Sequence, residues 1–446
     1  MFLAHAPAVP DLLKRLAPEE VQAAVATSVP EKSERYLHWD KLRRLPPPPG
    51  LSTEQWWLKI KLARSNERRK LRLTDTHGRP FGFTLPDLVL RHLHYVDQRC
   101  SGEIAMDEVV TSEKEAKRRF LVNSLMEEAI RSSQLEGATT SRRIAKEMLR
   151  SGRQPQDRGE RMIANNYRAL QFMRDDPERE LTLEVVLELH RIVTEGTLAN
   201  PDAAGRLQRP DEERVAVFDR DDSEQPVHRP PPAEQLPERM ELLCRFANGT
   251  DDGGQFVHPV VRAILLHFWL AYDHPFEDGN GRTARILFFW AMLKHGYWLA
   301  EYLPISRFIR KAPAQYERAF LETETDEGDT TYFLIHQLKV IEQAIEDLHR
   351  YLQRKTAEQN EVKRMLRDTD GLNSRQLSLL THAAKHPDHA YTFSGHAHSN
   401  RVTHETARAD LGELAERGFL VREQRGRTYV FEVPDDLPER LRESGQ

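Results

Sequence analysis

A short polar segment enclosed by two strongly apolar ones limits the folds open to this chain more than any other feature. Residues 260–272 are apolar at almost every position, and residues 286–293 are equally apolar. Segments that are apolar on all sides are typical of helices buried in a helical protein. Gly296 follows the second segment and is suited to end its helix. We therefore predict two buried helices joined by a tight loop, the second of which begins near Gly281.

The residues between these two segments, HPFEDGNGRTAR at 274–285, concentrate chemistry suited to a nucleotide. His274 is a side chain that accepts a proton near neutral pH. Asp278 is a hard oxygen ligand of the kind that Mg²⁺ uses together with substrate phosphates. Gly279 and Gly281 allow a tight turn and expose backbone N–H groups to an anion.

The start of the second predicted helix adds further groups that bind phosphate. Its free N–H groups and the positive end of its dipole would face the loop. Arg282 and Arg285 are three residues apart, so they share one helix face, and their forked donors suit phosphate oxygens. Asn280 adds an amide. A solvated turn between core helices is the alternative for each residue taken singly, but it gives no reason for the whole combination.

This segment resembles the Fic family, because it matches the motif HxFxDGNGRxxR at every fixed position. The surrounding resemblance covers roughly residues 116–350. It implies a mainly α-helical, Fic-type core that moves AMP from ATP, with Mg²⁺, to a Ser, Thr or Tyr hydroxyl of a target protein, which could include the enzyme itself. The residue roles that it implies are the catalytic base for His274, the metal ligand for Asp278, and nucleotide binding for Asp278, Gly279, Asn280, Gly281, Arg282 and Arg285.

An earlier segment, SSQLEG at 132–137, ends a stretch with helical periodicity. Ser132 and Glu136 lie one helical turn apart, and Gly137 is suited to stop that turn. The residues alone fit an exposed, capped helix end equally well. The Fic resemblance offers a second interpretation, because Ser132, Glu136 and Gly137 fit the inhibitory motif [S/T]xxxE[G/N] of the family. It implies that Glu136 pairs with Arg285 and leaves ATP in an unreactive pose.

A possible hairpin lies between these two motifs. Residues 204–209 resemble the glycine-arginine stretch that precedes the flap of Fic proteins, and residues 219–225 form a polar turn before a possible return at 226–228. The residues alone fit a surface hairpin, whereas the resemblance implies a flap that pairs with an extended target segment. The residues assigned to this flap, which alternate like a strand, are Val215, Ala216, Val217 and Phe218.

The segments after the loop are predicted to be helical at 306–323 and 330–351. Tyr316 occupies a position where Fic proteins often have an aromatic residue near the base, and core packing is the alternative. We place the catalytic core with its inhibitory helix at 113–350 and a charged helical linker at 351–371.

The amino-terminal residues 1–112 are predicted to form an α+β module. Ser52 or its neighbour would cap a helix, and the following residues alternate like strands around a turn at 76–79. The adjacent Trp56 and Trp57 could form a binding surface or a local core. No function for this module follows from its residues.

The tail, residues 372–446, is predicted to hold helices and a hairpin that turns at Gly426, a pattern that resembles a winged helix. A winged helix that binds DNA should be basic, yet residues 372–434 carry eight Arg or Lys against seven Asp or Glu, a net charge of +1. DNA binding is therefore weakly supported, and protein docking or a structural role are the alternatives. The six histidines between His382 and His404 are not spaced like a metal site, and we predict them to be mostly solvated.

Composition limits the number of domains, the general classes of partner and the compartment that we expect. With 446 residues, 39% of them hydrophobic, the chain is expected to form two or three domains, and its net charge of −5 gives no general attraction to nucleic acid or membranes. Neither a signal peptide nor a transmembrane stretch is visible, and Cys100 and Cys244 are expected to be reduced. Cytoplasm is the expected compartment, and a homodimer is possible.

Two other functions remain open at this stage. The first is removal of AMP from a target, with Glu136 orienting water. The second is a transcription regulator that uses the tail on DNA and retains a vestigial core.

Overall fold

The computed structural model describes residues 3–27, 35–100, 114–218, 226–250, 254–368, 371–386, 389–425, 428–434 and 436–444. The chain is mainly α-helical with three short antiparallel hairpins among these residues, which confirms the predicted fold class. It divides into two compact units, 1–348 and 349–446. In the described part of the chain, no helix is both long enough and apolar enough to cross a membrane. The predicted turns at 219–225 and at Gly426 lie outside the described residues.

The first unit begins with helices around one β-hairpin. Its elements are α1 (Val9–Arg15), α2 (Pro18–Ala26), α3 (Trp39–Leu42), α4 (Thr53–Glu67), β1 (Arg69–Thr74), β2 (Pro80–Phe83) and α5 (Asp87–Cys100). Ser52 caps α4 as predicted, with its side chain accepting the Gln55 N–H at 3.2 Å. Trp57 is fully buried and Trp56 packs against the same apolar cluster, so the tryptophans form a local core.

The helical core of the first unit follows. Its elements are α6 (Lys114–Leu135), α7 (Arg142–Ser151), α8 (Arg158–Arg174), α9 (Leu183–Thr194), β3 (Val217–Phe218), β4 (Pro226–His228), α10 (Leu236–Ala247), α11 (Pro259–Asp273), α12 (Asn280–Lys294), α13 (Ile305–Lys311), α14 (Pro313–Glu324) and α15 (Thr331–Asp368). Short 3₁₀ turns occur at Pro201–Ala203, Ala233–Gln235 and Trp298–Tyr302.

Helices α11 and α12 form the centre of this core and pack along each other. Every residue from 260 to 270 and from 282 to 293 is buried. Each fully buried Leu, Ile, Val or Phe contributes roughly 1.5–3 kcal/mol relative to an exposed one. The two apolar segments are thus confirmed as buried helices, and Gly296, in a left-handed conformation at φ 81°, follows the end of the second. The loop between them is fixed at both ends by the most buried part of the protein.

The prediction of one helix over 306–323 was wrong in one respect. The structure has two helices there, α13 and α14, separated at Ala312, which adopts φ −140° and ψ 60°. Pro313 lacks an N–H and its ring disfavours the helical conformation of the preceding residue, which explains the break.

The amino-terminal module packs directly on the helical core. Phe81 contacts Phe268 and Tyr272 of α11 edge to face, with ring centroids 5.5 and 4.8 Å apart. Gly82 exchanges backbone hydrogen bonds with the loop before α15, donating to the Gly328 carbonyl at 3.1 Å and accepting the Thr330 N–H at 2.8 Å. The two predicted regions therefore share one apolar interior.

The second unit holds helices and a two-stranded hairpin around its own core. Its elements after α15 are α16 (Ser374–Lys385), α17 (Phe393–Asn400), α18 (His404–Glu416), β5 (Val421–Arg425), β6 (Thr428–Glu432) and α19 (Leu437–Ser444). The expectation that its histidines are solvated fails for His396, which is buried because its Nε2 pairs with the Asp410 carboxylate at 3.1 Å. Helix α17, which carries His396, was not predicted.

Candidate active site

His274 ends α11 in a left-handed conformation, with φ 45° and ψ 52°. Its backbone N–H still donates to the Leu270 carbonyl at 3.0 Å, so the helix ends there and the chain turns sharply. The side chain of Asn280 closes the resulting loop: its amide donates to the Phe276 carbonyl at 2.8 Å and its oxygen accepts the Phe276 N–H at 2.9 Å. Asn280 was assigned to nucleotide binding, and in this structure its amide is instead engaged within the loop.

The His274 imidazole is held neutral. Burial, with a further contribution from the nearby His228, lowers its pKa to about 4. A hydrogen bond to the Ala271 backbone opposes this shift without reversing it. A neutral imidazole that donates through one nitrogen keeps the other as an acceptor. At neutral pH His274 is therefore in the state that a general base requires.

His228 is the source of the nearby positive charge. Its Nδ1 faces the Glu324 carboxylate at 2.9 Å and its Nε2 faces the Tyr272 carbonyl at 2.7 Å. Burial alone would lower the pKa of His228, but the Glu324 carboxylate, the Tyr272 carbonyl and Asp273 together raise it. Because both ring nitrogens face acceptors, the geometry fits an imidazolium.

Asp278 lies at the mouth of the loop with 35% of its side chain exposed. One carboxylate oxygen accepts from Arg158 at 3.2 Å and the other from Arg282 at 3.3 Å and from the Gly279 N–H at 2.5 Å. Arg282 itself is fully buried and also donates to the Val193 carbonyl at 3.1 Å. Asp278 is thus a loop carboxylate that is partly exposed to solvent and is also held in position by hydrogen bonds.

The two loop glycines are required by close contacts. Gly279 precedes α12 with φ 87°, and a β-carbon there would lie 2.8 Å from the Thr194 side chain. A β-carbon on Gly281 would lie 2.3 Å from the Glu136 carboxylate. Glu136 therefore lies directly over the first turn of α12, where the unpaired backbone N–H groups favour an anion.

Arg285 connects that turn to the end of α6. Its guanidinium donates to the Ser132 hydroxyl at 2.9 Å, to the Ser132 carbonyl at 3.1 Å and to the Glu136 carboxylate at 2.8 Å. Burial alone would lower the pKa of Arg285, but the Glu136 carboxylate outweighs it and raises the pKa. Gly137 follows with φ 90° and ends the helix. The structure therefore brings the segment at 132–137 and the loop arginine together.

His190 on α9 is a residue at this site that sequence reasoning missed. Its ring stacks on Phe276, with centroids 3.8 Å apart and an angle of 5° between the planes. Its Nδ1 accepts the Gly205 N–H at 3.0 Å, so its Nε2 carries the proton and donates to the Asp278 carbonyl at 2.9 Å. Burial lowers the pKa of His190 to about 4 and keeps it in this neutral form. His190 thus fixes the backbone of the loop beside the exposed carboxylate.

Arg214 was also missed, because its partners are distant backbone carbonyls. It donates to the carbonyls of Asp273 at 2.8 Å, His274 at 3.1 Å and Pro231 at 2.8 Å. The Gln208 N–H donates to the Pro275 carbonyl at 2.9 Å. The glycine-arginine stretch and Arg214 together hold the segment before β3 against the loop.

The predicted flap is shorter than expected. Val217 pairs with His228 and Phe218 with Pro226 in an antiparallel hairpin, but Val215 and Ala216 precede the strand. Val215 and Ala216 directly follow Arg214, whose guanidinium is held by hydrogen bonds to the loop carbonyls, and both residues lie outside the strand. The segment that leads into the hairpin nevertheless contacts the loop, because Arg214, three residues before Val217, donates to the His274 carbonyl.

Tyr316 on α14 is part of an aromatic cluster behind the loop. Its hydroxyl bonds with His267 at 2.9 Å, and its ring packs on Phe320 and Phe333 with centroids 5.1 and 6.0 Å apart. The ring contacts are those of core packing, while the hydroxyl also interacts with the guanidinium of Arg285.

Comparison with known proteins identifies the family of this region. Residues 180–292 match the Fic/DOC family. The chain is 34% identical over 117 residues to the protein adenylyltransferase Fic of Nematostella vectensis, covering 26% of this chain and 24% of that protein. It is 32% identical over 118 residues to the protein adenylyltransferase fic-1 of Caenorhabditis elegans, covering 26% and 20%. The chain spans about a quarter or less of the length of these curated relatives.

One solved structure resembles most of the chain. A Fic family protein from Desulfovibrio desulfuricans superposes with a TM-score of 0.50 at 20% identity, covering 78% of this chain and 95% of that protein. This similarity shows that the fold is of the Fic type.

Proposed function

Residues 180–292 form a Fic/DOC domain, and from that premise we propose that the protein is an adenylyltransferase that moves AMP from ATP to a hydroxyl of a target protein. The observation that carries the proposal is the complete loop at 274–285, with a neutral His274 at one end and the first turn of α12 at the other. Two relatives that match the region are named as protein adenylyltransferases.

His274 acts as the general base in the proposed reaction. The target hydroxyl oxygen attacks the α-phosphorus of ATP and forms a new P–O bond, and its proton passes to the free nitrogen of the His274 ring. The bond between the α-phosphorus and the bridging oxygen breaks, and pyrophosphate leaves with the electron pair. Such transfers depend mostly on positioning and charge stabilisation.

The first turn of α12 and its arginines receive the polyphosphate in this proposal. Backbone N–H groups near Gly279 and Gly281 and the guanidinium of Arg285 supply donors. Arg282 contributes its charge from a buried position, and Asn280 contributes by holding the loop in shape, since its amide is already engaged there.

Asp278 would hold Mg²⁺ together with the ATP phosphates. Its carboxylate is a hard ligand and is 35% exposed, and breaking the ion pair with Arg158 frees one of its oxygens while Arg282 and the Gly279 N–H hold the other. One carboxylate is sufficient, because Mg²⁺ commonly binds through one or two carboxylates plus substrate phosphates and water. When bound, the ion neutralises phosphate charge.

We propose that Glu136 inhibits this activity. Its carboxylate occupies one donor of Arg285 at 2.8 Å and lies over the turn that the polyphosphate needs. ATP would then bind without its γ-phosphate on Arg285, and the α-phosphate would be misplaced with respect to His274.

Removal of AMP from a modified target is the second candidate, and one observation favours it. The Glu136 carboxylate is 29% exposed beside the loop, so it has room to accept a hydrogen bond from a water molecule. Free AMP released from a modified target in the absence of ATP would support removal.

The remaining parts of the proposal concern partners. The β3–β4 hairpin would pair with an extended segment of the target next to His274.

The tail has helices and a hairpin in the order of a winged helix, and it would dock protein. DNA is the weaker alternative, because the tail is nearly neutral in charge. A cytoplasmic location and a homodimer remain predictions, which cell fractionation and sedimentation would test.

Transfer of the α-phosphate label from ATP tests the proposed activity. Protein labelled in lysate by the Glu136→Gly variant should carry AMP on Ser, Thr or Tyr by mass spectrometry, and adding the His274→Ala substitution should reduce this labelling by about 10²–10⁴-fold. Absence of AMP-modified protein with both wild type and the Glu136→Gly variant would overturn the adenylyltransferase proposal.

A further inference from the structure

We propose that a cavity between the amino-terminal module and the loop before α15 binds a small, multiply charged anion that carries phosphate or carboxylate groups. The cavity has a volume of about 460 Å³ and is separate from the loop at 274–285. Sites for small molecules typically enclose about 300–1,000 Å³. This inference does not depend on the proposed adenylyltransferase activity.

Cationic side chains dominate the cavity wall. They come from α4, from the β1–β2 hairpin and from the residue that joins these elements, so three neighbouring segments direct positive charge to one place. The cationic residues that line it are Lys61, Arg64, Arg68, Lys70 and Arg79. The carboxylates that line it are Glu327 and Asp329.

Three of these cations already have carboxylate partners: Lys61, Arg79 and, at a longer distance, Arg64, whose guanidinium lies 4.0 Å from the Asp326 carboxylate. The Lys61 ammonium lies 2.7 Å from Asp326 and 2.8 Å from Glu327, and the Arg79 guanidinium lies 2.8 Å from Asp75. Lys61 and Arg79 therefore define the wall without adding net charge to it.

Arg68 and Lys70 differ from Lys61 and Arg79 because, among the described residues, neither is paired with a carboxylate. The Arg68 guanidinium donates to the carbonyls of Glu327 at 2.6 Å and Pro80 at 3.4 Å, which are neutral acceptors. Lys70 is exposed, and among the residues that the structure describes it forms no ion pair with a carboxylate. The remaining wall carboxylate is Asp329, which accepts the Tyr36 hydroxyl at 2.5 Å. Arg68 and Lys70 exceed it by one positive charge, and this excess among several N–H donors favours an anion with several acceptor oxygens.

Arg64 adds a buried donor to the same wall. Its guanidinium donates to the Tyr332 hydroxyl at 2.8 Å and to the Leu37 carbonyl at 3.1 Å, and its carbon lies 3.5 Å from the centre of the Tyr36 ring. Its side chain is only 7% exposed, yet its Nε has no hydrogen-bond partner. An unsatisfied buried donor costs free energy, and an anion in the adjoining cavity is a group that could satisfy it.

The floor of the cavity is rigid, which favours binding without a large entropic cost. Glu327 adopts a left-handed conformation at φ 51°, and Gly328 follows at φ 70°. Both are fixed by the hairpin, because Arg68 holds the Glu327 carbonyl and Gly82 holds the Gly328 carbonyl. A preorganised cationic wall with forked donors is suited to phosphate or carboxylate oxygens.

Isothermal titration of the full chain with inorganic pyrophosphate, and separately with citrate, tests the site. We expect binding of at least one anion, and a loss of affinity of about tenfold or more in the Arg68→Gln/Lys70→Gln variant, because each charge-assisted contact is worth about one power of ten or more. The Arg72→Gln variant is the control matched to the single Lys70→Gln variant, because it also removes one positive charge from β1 but at a residue that does not line the cavity. Tighter binding of pyrophosphate would identify a phosphate ligand, and tighter binding of citrate a carboxylate ligand.

Two results would overturn the proposal. One is the absence of binding by both anions, and the other is binding that the double substitution leaves unchanged, which would show that the anion binds outside this cavity. The Lys70→Gln variant alone guards against misfolding, because its side chain is exposed. It should unfold at the wild-type temperature and still bind the anion more weakly than Arg72→Gln.

Discussion

Replacing Glu136 by Gly should switch on AMP transfer. The substitution removes one charge-assisted hydrogen bond, 2.8 Å long, from a guanidinium whose side chain is 2% exposed. Such a bond is worth about 1.5–3 kcal/mol, which corresponds to about one to two powers of ten in rate if the freed donor binds the γ-phosphate of ATP. Helix α6 ends at Leu135, so a glycine at 136 interrupts no helical turn.

A second contribution comes from space rather than charge. The Glu136 carboxylate lies over the first turn of α12, close enough that a β-carbon on Gly281 would be 2.3 Å from it. Emptying that space also allows the polyphosphate to reach the N–H groups of the turn, and a better-placed α-phosphate raises the rate further. The isosteric Glu136→Gln variant separates the two contributions, since it removes the charge and keeps the bulk. Activity of Glu136→Gln equal to that of Glu136→Gly would assign the inhibition to charge, and activity near wild type would assign it to bulk.

The assay is transfer of radiolabelled α-phosphate at saturating ATP and Mg²⁺, first seen as self-modification. Glu136→Gly combined with His274→Ala should be silent because the nucleotide then lacks its base. Glu136→Gly combined with Arg285→Ala should recover little, because the freed arginine is the group that benefits. Equal labelling by wild type and Glu136→Gly would refute self-inhibition, and an exposed helix-end glutamate would then be the better account.

Three further substitutions test single contacts of the site. The His274→Ala substitution, made in the active Glu136→Gly variant, should leave folding and ATP binding intact but lower transfer by about 10²–10⁴-fold, the usual contribution of general acid–base catalysis. Because the pKa of His274 is about 4, transfer by Glu136→Gly should persist as pH falls from 7 towards 5, and a steep loss between pH 7 and 6 would contradict that assignment. The Asp278→Ala variant should lose the Mg²⁺ dependence of ATP binding in calorimetry, and an unchanged metal titration would exclude it as the ligand. The His190→Phe variant keeps an aromatic ring on Phe276 but loses two hydrogen bonds. Its free energy of unfolding, measured with denaturant, should fall by about 1–3 kcal/mol, and it should transfer AMP more slowly. Full activity would show that His190 does not position the loop.

The central helices and their loop could be predicted because the residues that specify them are neighbours in the sequence. An apolar run that is buried on all sides specifies a buried helix, and HPFEDGNGRTAR supplies its own turn, helix start and side chains within a dozen residues. The approach of Glu136 to Arg285 came from the family resemblance rather than from the residues, since either residue alone fits an ordinary exposed position.

The contacts that escaped prediction depend on residues distant in sequence. His190 is a histidine on an ordinary amphipathic helix, and its role depends on Gly205 and Asp278, which meet it only in the folded chain. Arg214 binds backbone carbonyls, which leave no trace in the sequence. His396 is buried because Asp410, fourteen residues later, pairs with it. The glycine-arginine pair at 205–206 was a sequence signal for the segment that contains Arg214.

The packing of Phe81 on Tyr272 has a consequence for how this protein can be divided and exchanged. Tyr272 lies two residues before His274, and Phe81 covers it from a hairpin almost two hundred residues earlier in the chain. A fragment that began after residue 112 would expose Phe268 and Tyr272 to water and create an apolar area prone to aggregation. The region that matches the Fic/DOC family, residues 180–292, therefore cannot be exchanged by itself. A chimaera that grafts it onto another protein must carry the hairpin with it, and substitutions at Phe81 and Tyr272 should be tolerated only in compensating pairs.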